Sequence, residues 1–371
     1  MISAAFRRAR LATGCTLLPL LATAALADAP LLAVAADSVT IPFDNAAPNG
    51  GPLTGSPQIS AGFNGGPKMR FTMDTGSTGI VVSTDHFQPQ AGQKPVGPGQ
   101  MTYTSSGIVL KGNLFMTSVE IGAGPNTATA VVPVLQVTSM TCTTNARHCT
   151  PNPSPKGVAM FGVAFGQENA GQPNGTPDAN PFLNIKQIGG KPALVSRGYI
   201  VTSAGATLGL TTANTQGFNR VQLTKDATVN DWTRAPVTVT AGGATGTGTV
   251  LNDTGVASMY LTPAVGAKVP TIPAGQPAVP ACAKDGPCAA PGAVIKVAIG
   301  DPAAPAASYS FTVGANGGPD PASPASPSWV TVLTNKKGVS FVNTSYHFFN
   351  AFDYAYDYTN GAVGYRAVAR K

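Results

Sequence analysis

The chain has 371 residues, 43 glycines, 33 prolines and only 11 % charged residues. Glycine and proline at about a fifth of the chain exclude a long helical bundle or coiled coil, and the absence of a Gly-X-Y period excludes collagen. A hydrophobic content of 43 % excludes a solvated disordered polymer and leaves a soluble, loop-rich, β-dominated protein.

Residues 1–27 carry Arg7, Arg8 and Arg10, three of the charges behind the net +7, and continue as an apolar run that closes on Ala25-Leu26-Ala27. That is the pattern of a secretory signal peptide, with an alternative exit at Ala33-Val34-Ala35. Gly14, Cys15, Pro19 and Thr23 interrupt a run already short for a membrane anchor. A twin-arginine reading of Arg7-Arg8 and a lipidation reading of Thr13-Gly14-Cys15 both fit poorly, because Cys15 precedes most of the apolar run. The expected location is the periplasm or the exterior, and the Ala/Gly/Pro richness points to a bacterial source. No basic cluster interleaved with aromatics follows, so nucleic acid is not an expected partner.

Downstream, short apolar or alternating runs recur at 69–73, 80–83, 108–110, 118–121, 131–137, 199–202, 207–210, 237–240, 294–299, 309–313 and 329–333. Gly, Pro, Asn or Ser closes each of them, which predicts an all-β sandwich or barrel architecture. Helix is expected only in brief stretches at 181–187 and 346–352, and the Pro-rich stretches 269–291 and 301–327 read as long surface loops. Beyond Cys15, the cysteines form two local pairs, Cys142/Cys149 and Cys282/Cys288, each expected to be a disulfide closing its own excursion. Zinc is the weaker reading, since the spacing is not C-x₂-C and only His148 lies near either pair. No metal is expected.

One internal repeat carries the chemistry. Phe71-Thr72-Met73-Asp74-Thr75-Gly76 leads into Ser77-Thr78-Gly79 and the apolar Ile80-Val81-Val82. Thr249-Val250-Leu251-Asn252-Asp253-Thr254-Gly255 leads likewise into Val256-Ala257-Ser258 and Met259-Tyr260-Leu261. The copies lie about one domain's length apart, which predicts a duplicated half: an N-terminal lobe over 38–195 and a C-terminal lobe over 196–371. A pseudo-two-fold axis would set the two carboxyl groups face to face, where they share one proton and titrate as a unit. One then acts as base towards a water while the other donates to a carbonyl oxygen, chemistry suited to amide hydrolysis without a covalent intermediate. Serine and cysteine mechanisms fare worse, for no Gly-x-Ser-x-Gly turn is present and the cysteines are better used in bridges. His347, set among Tyr346, Phe348 and Phe349, reads as a packed residue.

With these motifs in view, the chain resembles the pepsin-like aspartic peptidases over residues 39–366. Tyr103-Thr104-Ser105-Ser106-Gly107 is similar to the family's flap hairpin, Met160-Phe161-Gly162-Val163-Ala164-Phe165 to the segment that threads behind the first Asp, and 349–365 to its closing pattern. The resemblance implies a bilobal fold of two β-barrel-like lobes with a central cleft. It implies Asp74 and Asp253 as the catalytic pair, supported by Thr75, Gly76, Ser77, Thr254 and Gly255, with Tyr103 closing over substrate. Three departures stand out. Val256 replaces the expected hydroxyl residue, so Asp253 is expected to be one donor short; Val81 replaces a tryptophan that supports the flap tyrosine; and 341–345 lacks the expected glycine, leaving Asn343 to tolerate the crossing.

Two function classes follow. The first is an exported, acid-acting endopeptidase, monomeric and free of cofactor, whose partner is a polypeptide substrate and which has no stable membrane insertion once the signal is removed. The second is a catalytically weak or inactive relative that binds peptide or another ligand in the same cleft.

Overall fold

The structure is a computed structural model that describes residues 34–369 except 147–148, 274, 280–281 and 283–285. The expected signal peptide 1–27, with Cys15, and also His148 lie outside the described residues.

The described residues form three β-sheets. A nine-stranded sheet collects the strands between Gln58–Phe63 and Lys191–Pro192, and a seven-stranded sheet collects those between Pro236–Ala241 and Ser340–Asn343. The third, six-stranded, takes its strands in the order Val39–Pro42, Gly205–Leu208, Gly198–Val201, Phe352–Asp357, Ala362–Ala367 and Asn219–Gln222. It gathers the start, middle and end of the chain and thereby ties the other two together.

The repeat seen in the sequence is a repeat of strand pairing. Met69–Asp74 runs parallel to Ala159–Val163, which runs antiparallel to Thr78–Ser83, itself parallel to Asn126–Cys142. In the second half, Ala244–Leu251 runs parallel to Ser340–Asn343, which runs antiparallel to Met259–Thr262, itself parallel to Val330–Val332. Sequence pattern follows burial. Thr78–Ser83 is buried at every position and reads as a near-continuous apolar run, as a strand covered on both faces must. In Met69–Asp74, Phe71 and Met73 point into the core, while Arg70 stays exposed and Thr72 half-buried.

The core beneath the cleft is aromatic. Tyr199, Tyr356 and Tyr365 are fully buried, and Phe165 stacks on Tyr356 with ring centroids 4.2 Å apart. Tyr199 donates its hydroxyl to Val163 O (2.5 Å), anchoring the strand that threads behind Asp74. Both cysteine pairs are bridged, Cys142 to Cys149 and Cys282 to Cys288. The expected helix at 181–187 is shorter, a 3-10 turn over Pro181–Leu183, because the chain turns into the strand Ile185–Ile188.

Candidate active site

Each Asp-Thr-Gly sits where an apolar strand runs out at the core edge, and the two turns meet. The meeting is reciprocal. Thr75 N–H donates to Thr254 Oγ1 (2.9 Å) and Thr254 N–H to Thr75 Oγ1 (3.0 Å). Each threonine hydroxyl then donates to a carbonyl of the opposite half, Thr75 to Asn252 O (2.7 Å) and Thr254 to Met73 O (2.8 Å). All four groups are buried and paired, so the network joins the lobes rigidly. Tyr365 O–H adds a bond to Asn252 Oδ1 (3.0 Å), holding the approach to Asp253 from below.

This grip brings Asp74 and Asp253 into mutual hydrogen-bond contact. The glycines make the approach possible: a Cβ at Gly76 would lie 2.5 Å from Asp253 Cγ, and one at Gly255 2.6 Å from Asp74 Oδ1. Asp74 accepts from Gly76 N–H (2.6 Å) and from the Ser77 hydroxyl (2.5 Å). Burial raises the pKa of both carboxyls, and the charge that forms first on Asp74 raises Asp253 further. The pair therefore titrates as a unit, with both carboxyls shifted towards the protonated form.

The surroundings of Asp253 depart from the sequence expectation. Val256 supplies no hydroxyl, yet Asp253 is not one donor short. Besides Gly255 N–H (2.7 Å), it accepts from Asn343 Nδ2 (2.5 Å). Asn343 thus serves through its side chain rather than through backbone tolerance. The left-handed backbone at this crossing belongs to Ser345, with φ 68°, a strained conformation for a residue with a Cβ. Ser345 is buried, and its hydroxyl oxygen caps the following turn by accepting from His347 N–H (3.3 Å). His347 packs against Tyr346 and bonds Ser328 Oγ (3.0 Å), and burial lowers its pKa to about 4; it has no place beside the dyad.

A cleft of about 640 Å³ opens over the carboxyls. The flap side is a hairpin, Gly97–Tyr103 against the long strand Ile108–Ala123, with residues 104–107 at its tip. Tyr103 lines the cleft, and its buried hydroxyl lies beside Ser77 without a well-formed hydrogen bond. Val81 is buried in a satellite cluster with Met101, Leu110, Leu135 and Val137, and Tyr103 packs against that hydrocarbon cluster. The flap is also braced from behind. Ile108 pairs with Cys142, Thr143 N–H donates to Gly107 O (2.8 Å), and a Cβ on Gly107 would strike Ala146.

Arg234 stands on the opposite wall, and no motif in the sequence marks it. It precedes the strand Pro236–Ala241 and lines the cleft with Leu251, Asp253 and Phe341.

Two β lobes flanking a cleft over a facing pair of Asp-Thr-Gly turns make this a chain with the bilobal pepsin-like aspartic proteinase fold. Among solved structures, it is similar to aspartic proteinase from Irpex lacteus, with a TM-score of 0.54 and 13 % identity over 90 % of this chain and 98 % of that one. No protein-family profile and no curated protein matches the chain. At that identity the likeness carries the fold alone.

Proposed function

We propose that the protein is an exported aspartic endopeptidase, acting at acidic pH as a monomer without cofactor or metal. The observation that carries the reading is the contact between Asp74 and Asp253, two buried carboxyls with raised pKa at the floor of a cleft. A catalytically idle protein gains nothing from two mutually repelling acids held together by a buried network. Asp74, the better supplied with donors from its own turn, is the base that activates a water. Asp253, protonated, donates to the scissile carbonyl as the water attacks, and a proton returns to the leaving nitrogen. Export is supported by the signal-like segment 1–27 and by two disulfides.

The test is digestion of a denatured protein by purified 28–371 across pH 3 to 7, with and without a statine-type inhibitor. Cleavage below about pH 5, blocked by the inhibitor and by Asp74→Asn or Asp253→Asn, is the expected result. The unpartnered Tyr103 hydroxyl favours a second reading, a weak or inactive relative that binds peptide. Inhibitor binding without cleavage at any acidic pH would select it.

A further inference from the structure

We propose that Arg234 forms a carboxylate-binding subsite on the C-terminal-lobe wall of the cleft, recruiting an acidic side chain of the polypeptide beside Asp253. The inference rests on the peptidase reading for its substrate class. It stands on three features of Arg234.

The first is charge. Among the described side chains lining the cleft, only Asp74, Asp253 and Arg234 are charged, and the first two are committed to each other. The second is an unmet demand. The guanidinium carries five N–H donors. Arg234 Nη2 donates to Gln167 Oε1 (3.0 Å), while its Nε is buried with no partner. No ion pair joins Arg234 to a carboxylate among the described residues, and its guanidinium lies 5.6 Å over the Phe341 ring. The nearest acid in its own loop, Asp231, is already engaged by Gly166 N–H (2.7 Å), Trp232 N–H (2.8 Å) and the Tyr356 hydroxyl. Burial disfavours the Arg234 cation, and any negative charge on Asp253 offsets this in part. An arginine placed for stability would be expected to carry a fixed counter-ion, because a desolvated charge left alone is costly.

The third is rigidity. Trp232 Nε1–H donates to Tyr358 O (2.7 Å), and Ala235 O accepts from Val250 N–H (3.0 Å), so the residues on either side of Arg234 are pinned. Gly166, with φ 64°, passes so close that a Cβ would lie 2.7 Å from Trp232 O, which brings Gln167 to the guanidinium. A planar donor fork held still beside a reacting centre suits a planar carboxylate.

The experiment compares matched peptide substrates carrying Glu or Gln at each position around the cleaved bond, with free or amidated C-termini. Wild type, Arg234→Gln and Arg234→Lys are assayed from pH 3 to pH 5. At one position Glu is expected to exceed Gln in kcat/KM by roughly 10- to 100-fold at the upper end of this range. The preference should fade towards pH 3 as the substrate carboxyl protonates, collapse in Arg234→Gln and survive in part in Arg234→Lys. A preference seen only for the free C-terminus would overturn the side-chain assignment in favour of the terminal carboxylate. Glu and Gln cleaved alike at every position in wild type would overturn the subsite while leaving the peptidase reading intact. If nothing is cleaved, binding of statine-containing peptides with Glu or Gln decides. A Glu preference lost in Arg234→Gln keeps the subsite without the peptidase, and equal binding removes both. Should Arg234→Gln fail to fold, the wild-type ratio, its pH dependence and Arg234→Lys separate the same outcomes.

Discussion

Asp74 and Asp253 come from copies of one motif, yet their carboxyls are held differently. Asp74 draws its donors from its own turn, Gly76 N–H and the Ser77 hydroxyl. Asp253 has Gly255 N–H from its own turn, but its second donor is Asn343 Nδ2, 90 residues away in the strand that threads behind it. The two carboxyls end with equal support from unequal sources. The pseudo-symmetric packing preserves a donor position, and any side chain able to reach that position can fill it.

The largest break in this comparison is loss of either acid. Asp74→Asn or Asp253→Asn is expected to lower kcat/KM by about 10³-fold or more, since neither half can hold the shared proton alone. Removing the threonine grip should be the next largest effect. Thr75→Val leaves two buried N–H and C=O groups of the opposite half without partners, a loss of about 2–5 kcal/mol measurable by chemical denaturation. Thr254→Val should match it, and a markedly smaller loss on one side would show that the network is not reciprocal.

Donor deletions sharpen the comparison through the pH profile. Asn343→Ala removes a bond to the charged form of Asp253, so the upper pKa of the dyad should rise and the alkaline limb of activity move up by about one pH unit or more. Ser77→Ala acts on Asp74 and should move the acidic limb upward instead. If both variants shift the same limb, the assignment of the retained proton to Asp253 is wrong.

The dyad also sets the direction of stability with pH. Asp253 has a raised pKa in the folded state, so above the ordinary Asp value near 3.9 the folded chain holds a proton that the unfolded chain releases. Stability therefore falls as pH rises through that window. Asp253→Asn escapes this loss, and its melting temperature should gain on wild type by a few degrees at pH 7 and by none at pH 3. The smallest effect is expected from Val256→Thr. Because Asn343 already occupies the donor position, an added hydroxyl should leave the pH profile unmoved; a downward shift of the alkaline limb would show that Asp253 has room for a further donor.

Much of the fold is legible because alternation and turn residues mark strands locally. The runs at 80–83, 199–202 and 294–299 match observed strands within a residue or two at either end. The separate runs at 108–110 and 118–121 belong to one strand, Ile108–Ala123, because the residues between them stay paired with Asn126–Cys142 through a register shift at Lys111/Gly112, with Phe115 and Thr117 buried and Lys111, Asn113 and Met116 exposed. At the site, the expected donor deficit at Asp253 fails for a specific reason. The sequence points to Asn343 only for its backbone, and nothing in a run of Phe-Val-Asn-Thr-Ser says where an amide side chain points. Arg234 carries still less signal: one cation in an irregular loop, with no periodicity and no motif around it. Only the neighbours Gln167, Phe341 and Asp253 give it meaning, and all three are remote in sequence.

From residue order alone come the β class, the carboxylates stranded at the ends of two apolar runs, and disulfides whose short loops leave little choice of partner. These are decided by neighbours a few positions away, and short-range sterics and periodicity encode them. That Asp74 touches Asp253, that an asparagine from a third strand serves as the missing hydroxyl, and that an arginine in the cleft forms no ion pair with any described residue were decided only when two lobes packed about a common axis. Contacts of that range depend on the summed twist and register of many strands, which no local stretch of the chain records.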